Sequence, residues 1–275
     1  MTPEDVSFVI ALCRSRAGLK VVPEKTYLIE SRLAPIARGE GFVGAEPLLA
    51  AARESREPRL LWRIIEAMAS SETSFFRDRD VFDHLRVDVI PDVARARTGG
   101  PVRVWSAACS TGQEVYSLAM IAKSLEEEKG CRLELSASDL STADLERAQS
   151  GLYSQSEVQR GLPIGLLIRY FQKQNDMWRI TSDIRSRVRW RRVNLVASLD
   201  RVGCFDVVLC RNVLSAMTAE AQRATLASLA HVVAADGYLV LGLGERAEAL
   251  NDAFEPVGGL PAIYRPTSRH SVQAA

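Results

Sequence analysis

The sequence predicts an α/β protein: a helical bundle over roughly the first 70 residues, then a doubly wound parallel sheet with a small inserted β-subdomain. Three observations predict it. Residues 1–70 carry apolar positions at helical spacing with no strand-like alternation. From Val102 onward, short apolar runs alternate with longer amphipathic ones, the pattern of strands buried on both faces with helices between them. Residues 155–192 break that alternation and hold nine Lys and Arg against three Asp and Glu, a net charge of +6.

Taken in order, Val6, Val9, Ile10 and Cys13 mark a first helix, and Tyr27–Leu33 a second that Pro35 should end or kink. Leu48 and Leu49, then Leu60, Leu61, Ile64, Ile65 and Met68, mark two more. Arg79–Arg97 reads as a connecting helix, which suggests domains at 1–70 and 101–275 joined through 71–100. Strands are predicted at Val102–Ala107, Leu133–Ser138, Phe205–Cys210 and Tyr238–Leu243, with helices at Gln113–Glu128, Thr142–Ser150 and Thr218–Ala234. Asp236-Gly237 supplies a turn immediately before the strand at Tyr238. The insert, about 155–192, offers Pro163, a short helix Ile164–Phe171, then Trp178-Arg179-Ile180 and the alternating run Val188-Arg189-Trp190-Arg191.

Composition narrows the function classes. Thirty-five Lys and Arg against 34 Asp and Glu leave a charge of +1, too little to imply a polyanionic partner. Hydrophobic residues at 47% and charged residues at 25% are those of a folded globular chain. Five cysteines form no CxxC pair and the histidines His84, His231 and His270 are scattered, so no metal centre or disulfide framework is expected. There is no secretory leader pattern and no apolar run of about 18 residues, so a cytoplasmic protein is expected.

The strand Val102–Ala107 runs through Ala108-Cys109-Ser110-Thr111-Gly112 into a helix, aiming backbone N–H groups at the crevice of an α/β sheet. The next strand ends in Asp139, placed to accept both hydroxyls of a ribose. A dinucleotide wants a glycine-rich loop for its diphosphate, and only Gly112 is present. S-adenosylmethionine, with an adenosine, a sulfonium and an amino acid end but no phosphate, fits better; Glu114 is placed to pair with its ammonium. The alternatives are an ordinary first-turn acid at Glu114 and a helix cap at Asp139. Arg211-Asn212-Val213 arrives at the carboxyl end of Phe205–Cys210, where ligands bind. Asn194 stands where a carboxamide meets an adenine edge, or is a turn residue.

In order and spacing, SETSFFRD (71–78), VWSAACSTGQEVYSLAM (104–120), ASDLSTADLERAQSGLY (137–153) and FDVVLCRNVL (205–214) resemble the CheR family of chemotaxis receptor methyltransferases. The resemblance spans nearly the whole chain. It implies a Rossmann-like class I methyltransferase domain behind the helical one, and methyl transfer from S-adenosylmethionine to glutamate side chains of membrane chemoreceptors, with S-adenosylhomocysteine as product. It also implies cofactor contacts at Thr73, Arg77, Glu114, Asp139, Asn194, Leu195, Asn212 and Val213, with Arg77 near the reacting groups. Arg77 alternatively pairs with Asp78 or Asp80 on the surface. Three positions depart from the family pattern: Ser71 replaces an Asn, Ala216 a Tyr, and Leu243 a His ahead of Glu245. The resemblance further implies a monomer whose insert docks a receptor's C-terminal tail. Competing readings are a cofactor-binding interaction module without turnover and, from the run Arg185–Arg192, a methyltransferase of RNA or a small molecule. For that run a two-faced strand with solvated arginines is favoured, and no nucleic acid is expected.

Overall fold

The computed structural model describes residues 1–69, 72–247 and 252–267, so Ser71 and His270 lie outside the described residues. The chain divides into two compact units, Met1–Ser70 with Ser215–Gln222, and Ser71–Leu214 with Arg223–Ala275.

The first unit is built from α1 (Pro3–Ala17), α2 (Thr26–Gly39), α3 (Ala45–Ser55) and α4 (Pro58–Met68). A capping box starts α1: the Thr2 side chain accepts from Asp5 N–H while the Asp5 carboxylate takes the Thr2 N–H. Gly18, at φ 63°, ends it. Val9, Leu12 and Cys13 of α1 are buried, as are Leu60, Ile64, Ile65 and Met68 of α4. Pro35 does not end α2, which runs on to Gly39. Proline removes the N–H that would serve the carbonyl of Ser31, but Ser31 and Pro35 are exposed, where water can serve it instead. Leu19 bridges Met217 in antiparallel fashion, and Lys20 N–H donates to the Ala216 carbonyl at 2.8 Å.

The second unit opens with one long helical segment, α5 (Arg79–His84), a π-helical turn (Leu85–Val89) and α6 (Ile90–Ala96). Strands then alternate with helices: β1 (Val102–Ser106), α7 (Gln113–Lys129), β2 (Leu133–Asp139) and α8 (Thr142–Ser150). The insert follows as β3 (Leu152–Ser154), α9 (Gln155–Gln159), α10 (Ile164–Tyr170), β4 (Phe171–Gln174), β5 (Met177–Ile180) and α11 (Ser182–Arg185). The chain finishes with β6 (Val188–Arg192), β7 (Phe205–Cys210), α12 (Ala219–Val232), β8 (Val233–Leu241), β9 (Phe254–Pro256) and β10 (Ile263–Pro266). The main sheet has the order β6-β2-β1-β7-β8-β10-β9, parallel from β6 to β8, with β10 antiparallel to both its neighbours. The order reverses between β1 and β7, and the crevice beyond their carboxyl ends is the ligand position of such sheets. No helix among the described residues is long and apolar enough to cross a membrane.

Besides Pro35, two expectations change. Val188–Arg192 belongs to the main sheet, as the edge strand β6 parallel to β2, and the insert is the antiparallel sheet β3-β5-β4. The reason is the two-faced pattern: Val188 is buried and Trp190 packs on Tyr116 of α7 with ring centroids 5.7 Å apart, while Arg189, Arg191 and Arg192 are exposed and guard an open edge. Asp236-Gly237 lies inside β8, which starts at Val233, at the irregularity where Phe205 pairs with Val233 and Val207 with Tyr238. A Cβ on Gly237 would sit 2.6 Å from the Asp206 carbonyl oxygen, so the backbone passes there only as glycine. Strands β9 and β10 had no counterpart among the predicted elements.

Candidate functional site

The loop after β1 is fixed from both sides before any ligand is considered. Cys109 N–H donates to the Ser138 carbonyl at 2.9 Å and Ala107 N–H to the Leu209 carbonyl at 2.8 Å, tying the loop to β2 and β7. Tyr153 Oη donates to the Thr111 carbonyl at 2.7 Å and Tyr116 Oη to that of Ala148 at 2.8 Å. Gly112 has φ +94°, and a Cβ on it would meet Ala148 Cβ at 2.9 Å and Tyr153 Oη at 3.1 Å. The one glycine of the loop is therefore demanded by backbone conformation and by packing.

Asp139, half-buried at the end of β2, accepts Ser110 N–H on Oδ2 at 2.8 Å and Ser141 N–H on Oδ1 at 2.9 Å. The Leu140 N–H also reaches this carboxylate, which with about four lone-pair positions retains acceptor capacity for an incoming hydroxyl. Burial raises its pKa above the usual carboxylate value, and the backbone N–H groups of Ser141 and Ser110 oppose that shift. The helix cap of α8 is Ser141, whose side chain accepts from Asp144 N–H, and not Asp139.

Glu114, buried in the first turn of α7, takes the Ser106 hydroxyl on Oε1 at 2.7 Å and Arg211 Nη1 on Oε2 at 3.0 Å. The Arg211 side chain is 1% exposed. Its Nη2 donates at 2.8 Å both to the Arg77 carbonyl and to Asp78 Oδ2, and its guanidinium carbon lies 5.4 Å from the centroid of the Phe82 ring. One cation faces two carboxylates, so this cluster carries an excess negative charge beside the crevice. Arg77 pairs with neither Asp78 nor Asp80; its Nη1 donates to the Glu72 carbonyl at 2.9 Å.

The segment 72–78 is held by more than Arg211. Phe75 is fully buried and meets Tyr153 and Phe171 edge-on at 5.0 and 5.6 Å. Phe76 N–H donates to Ser117 Oγ at 3.0 Å, and Glu72 is paired with Arg160 of the insert. Thr73 is half-buried within this segment.

At the carboxyl end of β7, Asn212 adopts φ 59° and its N–H donates to Glu245 Oε2 at 2.8 Å. The same oxygen accepts Gly242 N–H at 2.9 Å, so the buried Glu245 fastens the turn after β7 to that after β8. A Cβ on Gly242 would lie 2.5 Å from Asn212 Nδ2. Val213 is half-buried and Leu195 buried. Asn194 Oδ1 accepts Val196 N–H at 3.3 Å, the turn-residue geometry. Leu243 is exposed, and Ala216 falls in the first unit. Sequence reasoning passed over Arg211 and Glu245 as site residues. Each carried a signal, a charged side chain next to a continuous apolar strand, which must find partners when buried.

Residues 71–262 match the family described as CheR methyltransferase, SAM binding domain. The chain is similar to chemotaxis protein methyltransferase 1 of Pseudomonas aeruginosa, 36% identical over 254 residues that cover 90% of this chain and 92% of that protein. It is 34% identical to chemotaxis protein methyltransferase Cher2 of Pseudomonas putida over 251 residues, 90% of this chain and 91% of that one. A chemotaxis protein methyltransferase of Vibrio parahaemolyticus is 32% identical over 253 residues, with the same two coverages. The matched span runs from the segment held by Arg211 to the hairpin that closes the sheet, and by it the chain belongs to the CheR methyltransferase family.

Proposed function

We propose that this S-adenosylmethionine-dependent methyltransferase acts on glutamate side-chain carboxylates of membrane chemoreceptors, forming glutamate methyl esters and S-adenosylhomocysteine. The observation that carries the reading is the Glu114–Arg211–Asp78 cluster, with its excess negative charge at the carboxyl ends of β1 and β7. A cationic amino acid end suits those carboxylates, whereas a diphosphate would find no glycine cradle. Asp139 retains acceptor capacity for a ribose hydroxyl. The residues present therefore fit S-adenosylmethionine.

In this reading Glu114 receives the ammonium and Asp139 the ribose hydroxyls. Asn194 and Leu195 border the adenine, and Thr73, Arg77, Asn212 and Val213 complete the wall. Bound there, the cofactor supplies a methyl group made electrophilic by its sulfonium. The acceptor glutamate, with an ordinary pKa near 4.3, is already ionised at neutral pH and needs no general base. Burial raises the thiols of Cys109 and Cys210 far above their usual value, so neither is a nucleophile. What the chain contributes is alignment and exclusion of water, effects that can account for about 7–11 kcal/mol of barrier. Arg77 is the positioning group proposed for the incoming carboxylate. The chain is read as a cytoplasmic monomer with the helical domain at 1–70, the connection at 71–100 and the methyltransferase domain at 101–275. The open edges of the β3-β5-β4 sheet would accept a receptor tail by strand addition.

The test is incorporation of labelled methyl groups into receptor-containing membranes, followed by alkali. Release of the label as methanol is the expected result, because esters hydrolyse and methylated bases do not. Alkali-stable label, or none at all, would overturn the assignment.

A further inference from the structure

Helices α7 and α8 pack against β2 and β6. Leu135, Ala137 and Val188 belong to the core that includes α7. The alternate residues Glu134, Ser136, Arg189 and Arg191 turn to the other face. With Arg103 and Trp105 of β1 they line a cavity of about 310 Å³, on the side where a parallel sheet is ordinarily covered by helix.

Much of the donor capacity of this cavity is unspent. Arg189 is 78% exposed and stands 3.9 Å from Glu134, too far for a hydrogen bond. Arg191 donates Nη1 to the Arg201 carbonyl at 2.9 Å, and Arg103 uses Nε and Nη2 on Asp206, which leaves other N–H groups of both without a partner among the described residues. The Ser136 hydroxyl makes no hydrogen bond among the described residues. Three guanidiniums thus border the cavity, with Glu134 as the acid among them and Trp105 and Phe205 in its apolar lining.

We propose that this cavity is a second ligand site, separate from the cofactor crevice, for a phosphomonoester of mononucleotide size. Arginine forks match phosphate oxygens through paired hydrogen bonds. Arg189 and Arg191 lie two residues apart on one strand face, so one can bind the phosphate while the other stacks on a base. Glu134 offers an acceptor for an exocyclic amino group and Ser136 a hydroxyl. The volume lies at the small end of ligand pockets, which suits one nucleotide and not a strand. The inference stands apart from the identity of the methyl acceptor.

Cys204 borders the cavity and is exposed, whereas Cys13, Cys109 and Cys210 are buried and Cys131 is half-buried. Its alkylation by N-ethylmaleimide therefore reports occupancy. The full chain is held with saturating S-adenosylhomocysteine to fill the crevice, and guanosine 5′-monophosphate or inorganic phosphate is added. The nucleotide should protect Cys204, with phosphate much weaker. The variant Arg189→Ala/Arg191→Ala should need at least about tenfold more nucleotide for the same protection, since each arginine contributes charge-assisted hydrogen bonds, with thermal unfolding and methyl transfer unchanged. The proposal is overturned by any of four results: no protection, undiminished protection in the double variant, equal protection by inorganic phosphate, or protection that appears only when S-adenosylhomocysteine is left out.

Discussion

Arg211 is buried with its charge answered by Glu114, Asp78 and the Arg77 carbonyl, and removing it leaves two carboxylates facing each other. Breaking a buried pair from one side typically costs about 3–5 kcal/mol, so Arg211→Ala should lower stability by that order in urea unfolding. Among the described residues the Arg77 side chain makes one hydrogen bond, to a carbonyl, and its removal strands no buried charge. Arg77→Ala should leave stability nearly unchanged and lower the rate of transfer to receptor, by about tenfold or more, to a greater degree than it weakens S-adenosylhomocysteine binding. Arg77→Lys should recover part of it, because a point charge does not reproduce a planar fork. Unchanged turnover would return Arg77 to the surface. For Asp139, burial raises the folded-state pKa above 3.8, so the apo folded chain keeps a proton that the unfolded chain has lost. Its contribution to stability therefore declines as pH rises through that window. Cofactor hydroxyls donate to the ionised form, so S-adenosylhomocysteine affinity should rise over the same interval, and Asp139→Asn should flatten both dependences. Calorimetric titrations from about pH 4 to 7 check the sign.

The insert meets the 72–78 segment through Gly161, whose φ is +88° and whose added Cβ would lie 2.1 Å from the Phe75 carbonyl oxygen. Gly161→Ala cannot be absorbed by a side-chain rotation, because the obstacle is backbone. Overpacking of this kind costs about 1–3 kcal/mol, and urea unfolding should show that loss. Gly165 of α10 has nothing within 4 Å of its added Cβ, so Gly165→Ala should be neutral or stabilising, by up to about 1 kcal/mol. Similar stability for the two variants would refute the close approach. This junction was invisible in the sequence, where Gly161 is one of 17 glycines. Legibility followed burial: β7 announces itself as an apolar run because every residue of it is buried, whereas β1 and β2 place Arg103, Glu134 and Ser136 on a face that borders the open cavity. Strand β6 was legible as a strand but not as a member of the main sheet, since period-two alternation says which residues are buried and not which sheet buries them. Pro35 misled because propensity rules assume a carbonyl deprived of water. Strands β9 and β10 are short and each ends in proline, so neither shows an apolar run.

The cofactor residues proposed here all fall in the second compact unit, which also contains every strand of both sheets. Legibility of the site had the same bias, because loops after apolar strands can be located from the strands. The partners that orient Glu114 and Asn212 come from Arg211 and Glu245, 97 and 33 residues away, and only folding brings them near. A ligand held by such a network stabilises the folded state by mass action, about 2.7 kcal/mol at one hundred times its dissociation constant. For a unit of this size that corresponds to a rise of about 5–10 °C in its melting temperature. Differential scanning calorimetry with S-adenosylhomocysteine should show that rise, and Asp139→Ala should abolish most of it while leaving the ligand-free transition in place. A nicotinamide dinucleotide at the same concentration should leave the transition unmoved. The reverse outcome, a shift with the dinucleotide and none with S-adenosylhomocysteine, would mean that the acidic cluster and the glycine-poor loop had been assigned to the wrong cofactor.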